Sequence, residues 1–507
     1  MPHWVKLFTK PAPPPSAGRS TSERYPSAPT RFPSLSHPVP DNFRSLGDTG
    51  IRCHPLGFGC YRIAEGVGEH EASLREYLER GGNLIDTSAN YTDGRSESLV
   101  GEVLSGDCAS GAMVVTKAGY IQGQNMTLAQ QQSFPEVVEY GEGIWHCIHP
   151  RFLETQLRAS CRRLKRDRVD VFLLHNPEYY LSHQAHHHTP TAQDHQEFYR
   201  RIGQAFGFLE DQAKEGRIGW YGISSNNYGL SPSDPTMTSV QRCLRQAEGI
   251  SSGHRFRVVQ LPLNLYESGG ALERNNDGLS ALEFCRREGL GVLINRPLNA
   301  FSENRMFRLA DFSGHGQETA GPEDLEVLVE PLRQLERSLT DRLNVPLLGG
   351  PDYGLSGMLL RIAPQVRAAA DWDWVVERYL APPLQQWVQD CRKVCQGDSY
   401  WEEWQERYFQ TIRTVLENLE RYSLARQQRE SDRIRSLLEE CGYSRPQASL
   451  SRIAMSLLLN LKGVSCVLNG MRRVAYVQDA MGAPGLPPVD ALSILQEFSR
   501  RRSANQG

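Results

Sequence analysis

EHEASLREYLERGGNLIDTSANY (69–91) changes period part way along. Its first twelve residues read as an amphipathic helix, and Gly81-Gly82 is a helix C-terminal signal. NLIDTS (83–88) then reads as a short buried strand. This helix-then-strand unit recurs. From about residue 44, strand candidates are HPLGFGCY (54–61), NLIDTS (83–88), MVVTKA (113–118), VDVFLLH (169–175), IGWYGIS (218–224), RVVQLPL (257–263), GVLINRP (291–297) and VSCVLNG (464–470). Amphipathic helices lie between several of them; in FLETQLRASCRRLK (152–165), Leu153, Leu157, Cys161 and Leu164 share one face. Eight strands with intervening helices predict an α/β fold, a closed (β/α)8 TIM barrel rather than an open sheet.

Two spacings interrupt the pattern. Residues 119–150 are Gly/Gln-rich and read as a long irregular loop of functional length. The larger gap, 302–447, separates strands seven and eight and predicts a mainly helical insertion. Within it Trp401, Trp404, Tyr408, Ile412, Val415, Leu419 and Tyr422 form a stripe expected to bury against the barrel or another subunit, with a ligand groove as the sharper alternative. The resulting division is a Pro/Ser/Arg-rich segment over 1–43, barrel strands one to seven over 44–301, the insertion over 302–447, and strand eight with a phosphate-binding loop and C-terminal helix over 448–507.

The chain has 507 residues, 39% hydrophobic and 23% charged, an ordinary globular balance. A formal net charge of -3 gives no reason to expect nucleic acid or an anionic membrane as partner. No apolar run reaches the length of a membrane span; SLLLNLKGVSCVL (456–468) is broken at Lys462 and Gly463. The 11 cysteines are scattered, which suits a reducing compartment. Cys391 and Cys395 sit four apart, as packing residues of one helix face do, rather than as a metal or redox pair. Ten prolines and a single acid in the first 40 residues predict disorder there. A cytoplasmic location is expected, or an organellar one if that segment is a transit peptide.

Barrel enzymes carry their reacting groups at the C-terminal ends of strands. Here strand two ends in Asp86 with Tyr91 five residues on, strand three in Lys117 and strand four in His175. One solvated lysine or one structural histidine would be unremarked; four such groups on three successive strand ends suit carbonyl reduction. That chemistry needs hydride at carbon and a proton at oxygen. Tyr91 is the candidate acid and base, Lys117 is expected to lower its pKa, Asp86 to hold Lys117, and His175 to hydrogen-bond the reacting oxygen.

The chain resembles the aldo/keto reductase superfamily over roughly 44–300 and 448–482. RSLGDTGIRCHPLGFGCYR (44–62) is similar to that family's opening strand, and GGNLIDTSANYTDGRSESLVGEVL (81–104) to its Asp/Tyr segment. VVTKAGY (114–120) and VDVFLLHNPE (169–178) are similar to its lysine and histidine segments. The resemblance implies the four roles above for Asp86, Tyr91, Lys117 and His175, and NADP(H), or less often NAD(H), across the barrel mouth. It implies Ser224, then Ser225 or Asn226, and Gln260 at the nicotinamide amide. Asn295 stands where the family stacks an aromatic, and Arg296, where it has a serine, could reach the pyrophosphate. Gly470, Met471, Arg472 and Arg473 match the loop that holds the adenosine phosphate, and the two arginines favour a 2′-phosphate. No GxGxxG follows a strand, against a Rossmann site, and no metal is expected. HNPEYYLSHQAHHHTPTAQDH (175–195) reads as a mobile loop over the mouth rather than a zinc site, since Pro190 interrupts the run. The implied substrate is a small carbonyl or alcohol. A nicotinamide-binding regulatory or scaffold subunit is the competing reading, and a barrel lyase or hydrolase would need an acid/base pair that is not evident.

Overall fold

The computed structural model describes residues 43–106, 111–302, 305–312, 325–343, 347–348, 354–366 and 371–504. The Pro/Ser/Arg-rich segment lies outside the described residues except for Phe43. Eight parallel strands close into a barrel: β1 (Leu56–Gly59), β2 (Leu84–Asp86), β3 (Met113–Ala118), β4 (Val169–His175), β5 (Ile218–Ser224), β6 (Phe256–Pro262), β7 (Gly291–Asn295) and β8 (Cys466–Gly470). Each pairs with its sequence neighbours, and β8 closes on β1. The fold is the (β/α)8 barrel expected from the strand runs, with a helical insertion before β8.

The interior holds Leu84, Val115, Val171, Leu173, Val258, Leu293, Cys466 and Leu468, the inward half of each strand's alternation. A hairpin of Arg44–Ser45 and Arg52–Cys53 closes the N-terminal end, contributing Leu46 and Cys53 to this core. The helix Gly68–Glu79 is fixed to the sheet by buried Tyr77, whose hydroxyl reaches the carbonyls of Leu56 at 2.9 Å and Leu84 at 3.0 Å. Behind β3, the helices Arg95–Leu104 and Pro150–Leu164 meet closely: a Cβ on Gly101 would stand 2.2 Å from the Arg163 carbonyl oxygen. The Glu97 carboxylate, fully buried, joins them through Arg163 at 2.6 Å and takes the Thr116 hydroxyl of β3. A carboxylate removed from water needs such partners.

Register aligns the strand ends on one rim. Gly470 pairs with Gly59, Gly59 with Asp86, His175 with Ser224 and Ser224 with Gln260. Backbone pairing alone therefore levels the ends of β8, β1 and β2 with one another, and the ends of β4, β5 and β6 likewise.

Two readings of the sequence need correction here. Residues 119–150 are not an irregular loop: Tyr120–Ile121, Val138–Gly141 and Ile144–His146 form a three-stranded antiparallel sheet, with a helix over Gln124–Gln132. Ile121, Ala129, Phe134, Cys147 and Phe152 give it a core of its own. The histidine run is not a loop throughout either. Tyr179–Ala185 is helical, and the helix Ala192–Lys214 begins just after Pro190 with a capping box between Thr191 and Asp194. The rings of His183 and His187, four residues apart, lie 4.9 Å from each other. Among the described residues no group of three or more His, Cys, Asp or Glu is placed to hold a metal, and no helix is long and apolar enough to cross a membrane.

A second compact unit spans Asp311–Ile434. Its helices include Leu325–Leu343, Gly354–Ile362, Ala381–Val394 and most of Ser399–Glu440. The aromatic stripe buries inside this unit, contrary to the expectation that it needs the barrel or another subunit. Trp401, Trp404, Tyr408, Ile412, Val415 and Leu419 pack with Leu328, Leu332, Leu339, Leu355 and Leu359, and Tyr422 lies at the margin. Cys391 and Cys395 belong to the same core. At its centre the buried Glu336 carboxylate accepts from Leu355 N at 2.6 Å, Ser356 Oγ at 2.6 Å and Tyr408 Oη at 2.8 Å. Leu355 N and Ser356 N, which donates to the same carboxylate at 3.3 Å, are among the first N–H groups of the Gly354–Ile362 helix and would otherwise be orphaned.

Candidate active site

The site grows from the end of β2. Asp86 is its last residue, and Tyr91 opens the tight turn Tyr91–Gly94. Thr92 and Asp93 in that turn have φ of 47° and 57°. Two consecutive left-handed residues, one β-branched, are uncommon and strained. The residues after the ends of β4 and β7 share the feature, Asn176 with φ of 52° and Arg296 with φ of 53°. Each places a side chain at the rim by turning the chain sharply just beyond a strand.

Lys117 is fully buried on β3. Its ammonium meets Asp86 Oδ2 at 2.8 Å, the Thr87 carbonyl at 2.8 Å and Tyr91 Oη at 3.3 Å. An ammonium has three donors, and here each has an acceptor. Asp86 is held on its other oxygen by Gln260 Nε2 at 2.7 Å. Burial pushes the Asp86 carboxyl up, opposed by Lys117 and then Gln260; Lys117 is raised because Asp86 and Tyr91 outweigh its own burial. With those two acceptors against it, the ammonium stays charged.

Lys117 pulls the Tyr91 pKa down, as expected, but the net shift is upward. Burial pushes the phenol up to about 12, and the pull of Lys117 in the other direction is the smaller effect. Desolvation penalises a phenolate more than one neighbouring cation favours it. The group is therefore a protonated phenol at neutral pH. It accepts from Lys117, so its own proton is left for another partner.

His175 ends β4 with its ring 5.8 Å from the Tyr91 ring, edge to face. Burial and the nearby Lys117 hold its imidazole well below the usual range, so it is neutral. Its Nδ1 lies 3.0 Å from Ser88 Oγ, and its carbonyl accepts from His146 Nε2 at 2.7 Å. Gly119 permits that contact: a Cβ there would stand 2.5 Å from the His175 oxygen and 2.6 Å from His146 Nε2. Aromatic rings continue outward, with Tyr61 at 5.1 Å from Tyr91 and Tyr120 at 4.7 Å from His175. Thus Asp86, Tyr91, Lys117 and His175 come together, and Lys117 links three of the strand and loop segments that carry them.

The residues expected at a nicotinamide amide are adjacent but already bonded. Ser224 Oγ donates to Gln260 Oε1 at 2.9 Å, and Asn295 Nδ2 reaches the same oxygen at 3.2 Å. Asn226 N donates to Glu178 Oε1 at 2.7 Å, while Ser225 Oγ accepts from Asn227 N at 3.1 Å. Arg296 is paired with Glu267 at 2.9 Å and lies over the Phe301 ring at 5.3 Å, so a pyrophosphate would have to share that guanidinium. Further round the rim, Gly470 is exposed, Met471 is buried and could offer only its main chain, Arg472 is half-buried, and Arg473 lies 3.7 Å from Glu69. The helix that follows, Val474–Ala480, is only seven residues long, so its dipole adds little to anion binding.

Three buried polar atoms at this rim make no well-formed hydrogen bond, Glu178 Oε2, Asn295 Oδ1 and Arg296 Nε, although the Ser225 hydroxyl lies near the Glu178 carboxyl. Buried polar groups are ordinarily satisfied. Two acceptors and a donor at the ends of β4 and β7 fit a ligand with its own amide and hydroxyl groups, as a nicotinamide riboside has. Glu178 is a residue the sequence reading passed over. It stands in the quoted FLLHNPE, three positions after His175, and burial raises its carboxyl to about 7. Ser88 was passed over as well, although it lies between Asp86 and Tyr91.

The family model for the aldo/keto reductase family matches residues 55–326. Aflatoxin B1 aldehyde reductase member 2 of Rattus norvegicus is 33% identical over 112 residues, 21% of this chain and 24% of that protein. The NADH-specific methylglyoxal reductase of Escherichia coli is 28% identical over 138 residues, 26% of this chain and 40% of that protein. The match thus spans about a quarter to two fifths of the length of these relatives. An aldo-keto reductase of Bacillus halodurans, solved in its holo form, superposes with a TM-score of 0.46 at 16% identity, covering 90% of this chain and 95% of that one.

Proposed function

Because the chain belongs to the aldo/keto reductase family, we propose that it catalyses NAD(P)H-dependent reduction of an aldehyde or ketone, or the reverse oxidation of an alcohol or sugar lactol. The observation that carries this reading is the Lys117 ammonium, which donates to Tyr91 Oη at 3.3 Å while anchored on Asp86 at 2.8 Å. A phenol that accepts from a fixed cation presents its own proton outward. As that proton leaves for a carbonyl oxygen, the developing phenolate is stabilised by the Lys117 ammonium, which is itself shielded from water. General acid catalysis of this kind contributes roughly 10²–10⁴ in rate.

A nicotinamide cofactor, when bound, supplies the hydride to carbon or accepts it in reverse. Glu178, Asn295, Ser225 and Asn226 would hold its amide and ribose end. Arg296, Arg472 and Arg473 would take its phosphates, and the last two arginines favour NADP(H) over NAD(H). His175 stands beside Tyr91 as a neutral imidazole that meets the reacting oxygen with its outer nitrogen.

The test is direct. NADPH added to the purified chain should quench its tryptophan fluorescence, and consumption of NADPH should follow addition of reactive aldehydes. Quenching without turnover across aldehydes, ketones, alcohols and sugars would favour a regulatory cofactor-binding subunit instead.

A further inference from the structure

β4 outruns its neighbour. The register of β3 against β4 ends with Ala118 beside Leu174, so the His175 carbonyl lies one position past the last pair. His175 is buried, and a buried carbonyl still needs a donor. It takes the His146 ring, with Nε2 at 2.7 Å. That nitrogen carries the proton, since a carbonyl can only accept, and turning the ring over would set a C–H against the oxygen. His146 is itself buried, with the Tyr179 ring stacked on it at 5.3 Å.

The other side of the same peptide is fixed as well. Asn176 N donates to the Ser224 carbonyl at 2.7 Å. Asn176 then takes a φ of 52°, where the chain turns off the strand. Its side-chain amide meets the Tyr120 hydroxyl at 2.6 Å, a contact that stands whichever way the amide faces. The Tyr120 ring lies edge-on to the His175 imidazole at 4.7 Å and to the His146 ring at 5.8 Å. Tyr120 and His146 are paired residues of one antiparallel sheet, the one inserted between β3 and the helix Pro150–Leu164.

We infer that His146 and Tyr120 are positioning residues, through which the inserted sheet holds His175 where it meets the reacting oxygen. What His175 does there rests on the proposed function; the hold itself does not. The imidazole follows its own backbone, and the peptide after it is gripped at the oxygen by His146 and through the Asn176 side chain by Tyr120. Small misplacements of a reacting group are expensive, up to about 10² in rate for 1 Å. The sheet over 120–146 is therefore a working part of the barrel rim.

Single-turnover NADPH oxidation with an accepted aldehyde, measured beside NADPH affinity, tests this. His146→Leu should slow the step about tenfold or more, and Tyr120→Phe should slow it several-fold, each binding NADPH within a few fold of the original. In a His175→Asn background both substitutions should be silent, because the group they position is gone. Undiminished rates in the folded variants overturn the inference, as do losses that persist at full size in the His175→Asn background. If His146→Leu does not fold, Tyr120→Phe carries the same test. A readout free of turnover is the chain labelled with ¹⁵N in its histidines, without cofactor. The His175 ring resonances, assigned by their loss in His175→Asn, should move in both variants; resonances that stay in place overturn the inference. The expected movement, with no turnover of any substrate by the unmodified chain, leaves the hold on His175 standing and counts against the reductase reading instead.

Discussion

The Lys117 ammonium lies 3.3 Å from the Tyr91 phenol oxygen, and its other two protons are taken by Asp86 and the Thr87 carbonyl. A cation so fully engaged has one geometry, and the phenol inherits it.

Removing the cation should cost stability as well as rate. Lys117→Met leaves the Asp86 carboxylate buried without its charge partner, and losses of about 3–5 kcal/mol accompany such breaks. Adding Asp86→Asn removes the stranded charge and should restore much of that loss but none of the turnover. Chemical denaturation of both variants checks the pair; equal stability of the single and double variants contradicts it.

The pH dependence of reduction follows from the direction of the Tyr91 shift. The acid form donates, and burial holds the phenol up to about 12. The rate of carbonyl reduction should therefore be level through neutral pH and decline only on the alkaline side of about pH 10, the ordinary phenol value. A decline centred near neutrality, following a steady-state pH profile of kcat, would show that another group governs the step.

His146 sets an acid limit on the fold. Burial lowers its pKa to about 4, with the bond to the His175 carbonyl opposing the shift. A depressed histidine contributes stability that is complete above about pH 6.5 and is lost as pH falls toward about 4. The contribution is on the order of 3 kcal/mol. Denaturation at pH 7 and pH 4 should show a smaller loss for His146→Gln than for the unmodified chain.

Glu178 should make cofactor binding pH-dependent. Its Oε2 is buried without a well-formed hydrogen bond, and burial raises the carboxyl to about 7. The ionised form accepts from a ligand's amide or hydroxyl, so affinity for NADPH should rise between pH 6 and 8. In Glu178→Gln that rise should flatten, measured by tryptophan quenching; an undiminished rise assigns it to another group.

How much of this was legible in the sequence depends on the range of the interactions. Strand runs such as VDVFLLH carry their own signal, and a strand's end fixes which residue reaches the rim; Asp86, Lys117 and His175 could be named on that basis. The sheet within 119–150 could not, because its strands are two to four residues long and Tyr120 pairs with His146 across 26 positions. The Tyr179–Ala185 helix is braced by a stack of Tyr179 on His146, a contact no local pattern announces. The stripe from Trp401 to Tyr422 was plain as a period, but its partners lie around Leu328 and Leu339, some seventy residues earlier. Direction of a pKa shift was the subtlest failure. The sequence places a cation beside Tyr91, whereas the burial that outweighs it is a property of the closed barrel.

The most direct measurement is single-turnover NADPH oxidation with an accepted aldehyde by the unmodified chain and by Tyr91→Phe, alongside NADPH affinity for each. The account predicts that the phenylalanine variant binds NADPH within a few fold of the original while its rate falls by roughly 10²–10⁴. Turnover at the original rate by Tyr91→Phe would contradict it outright.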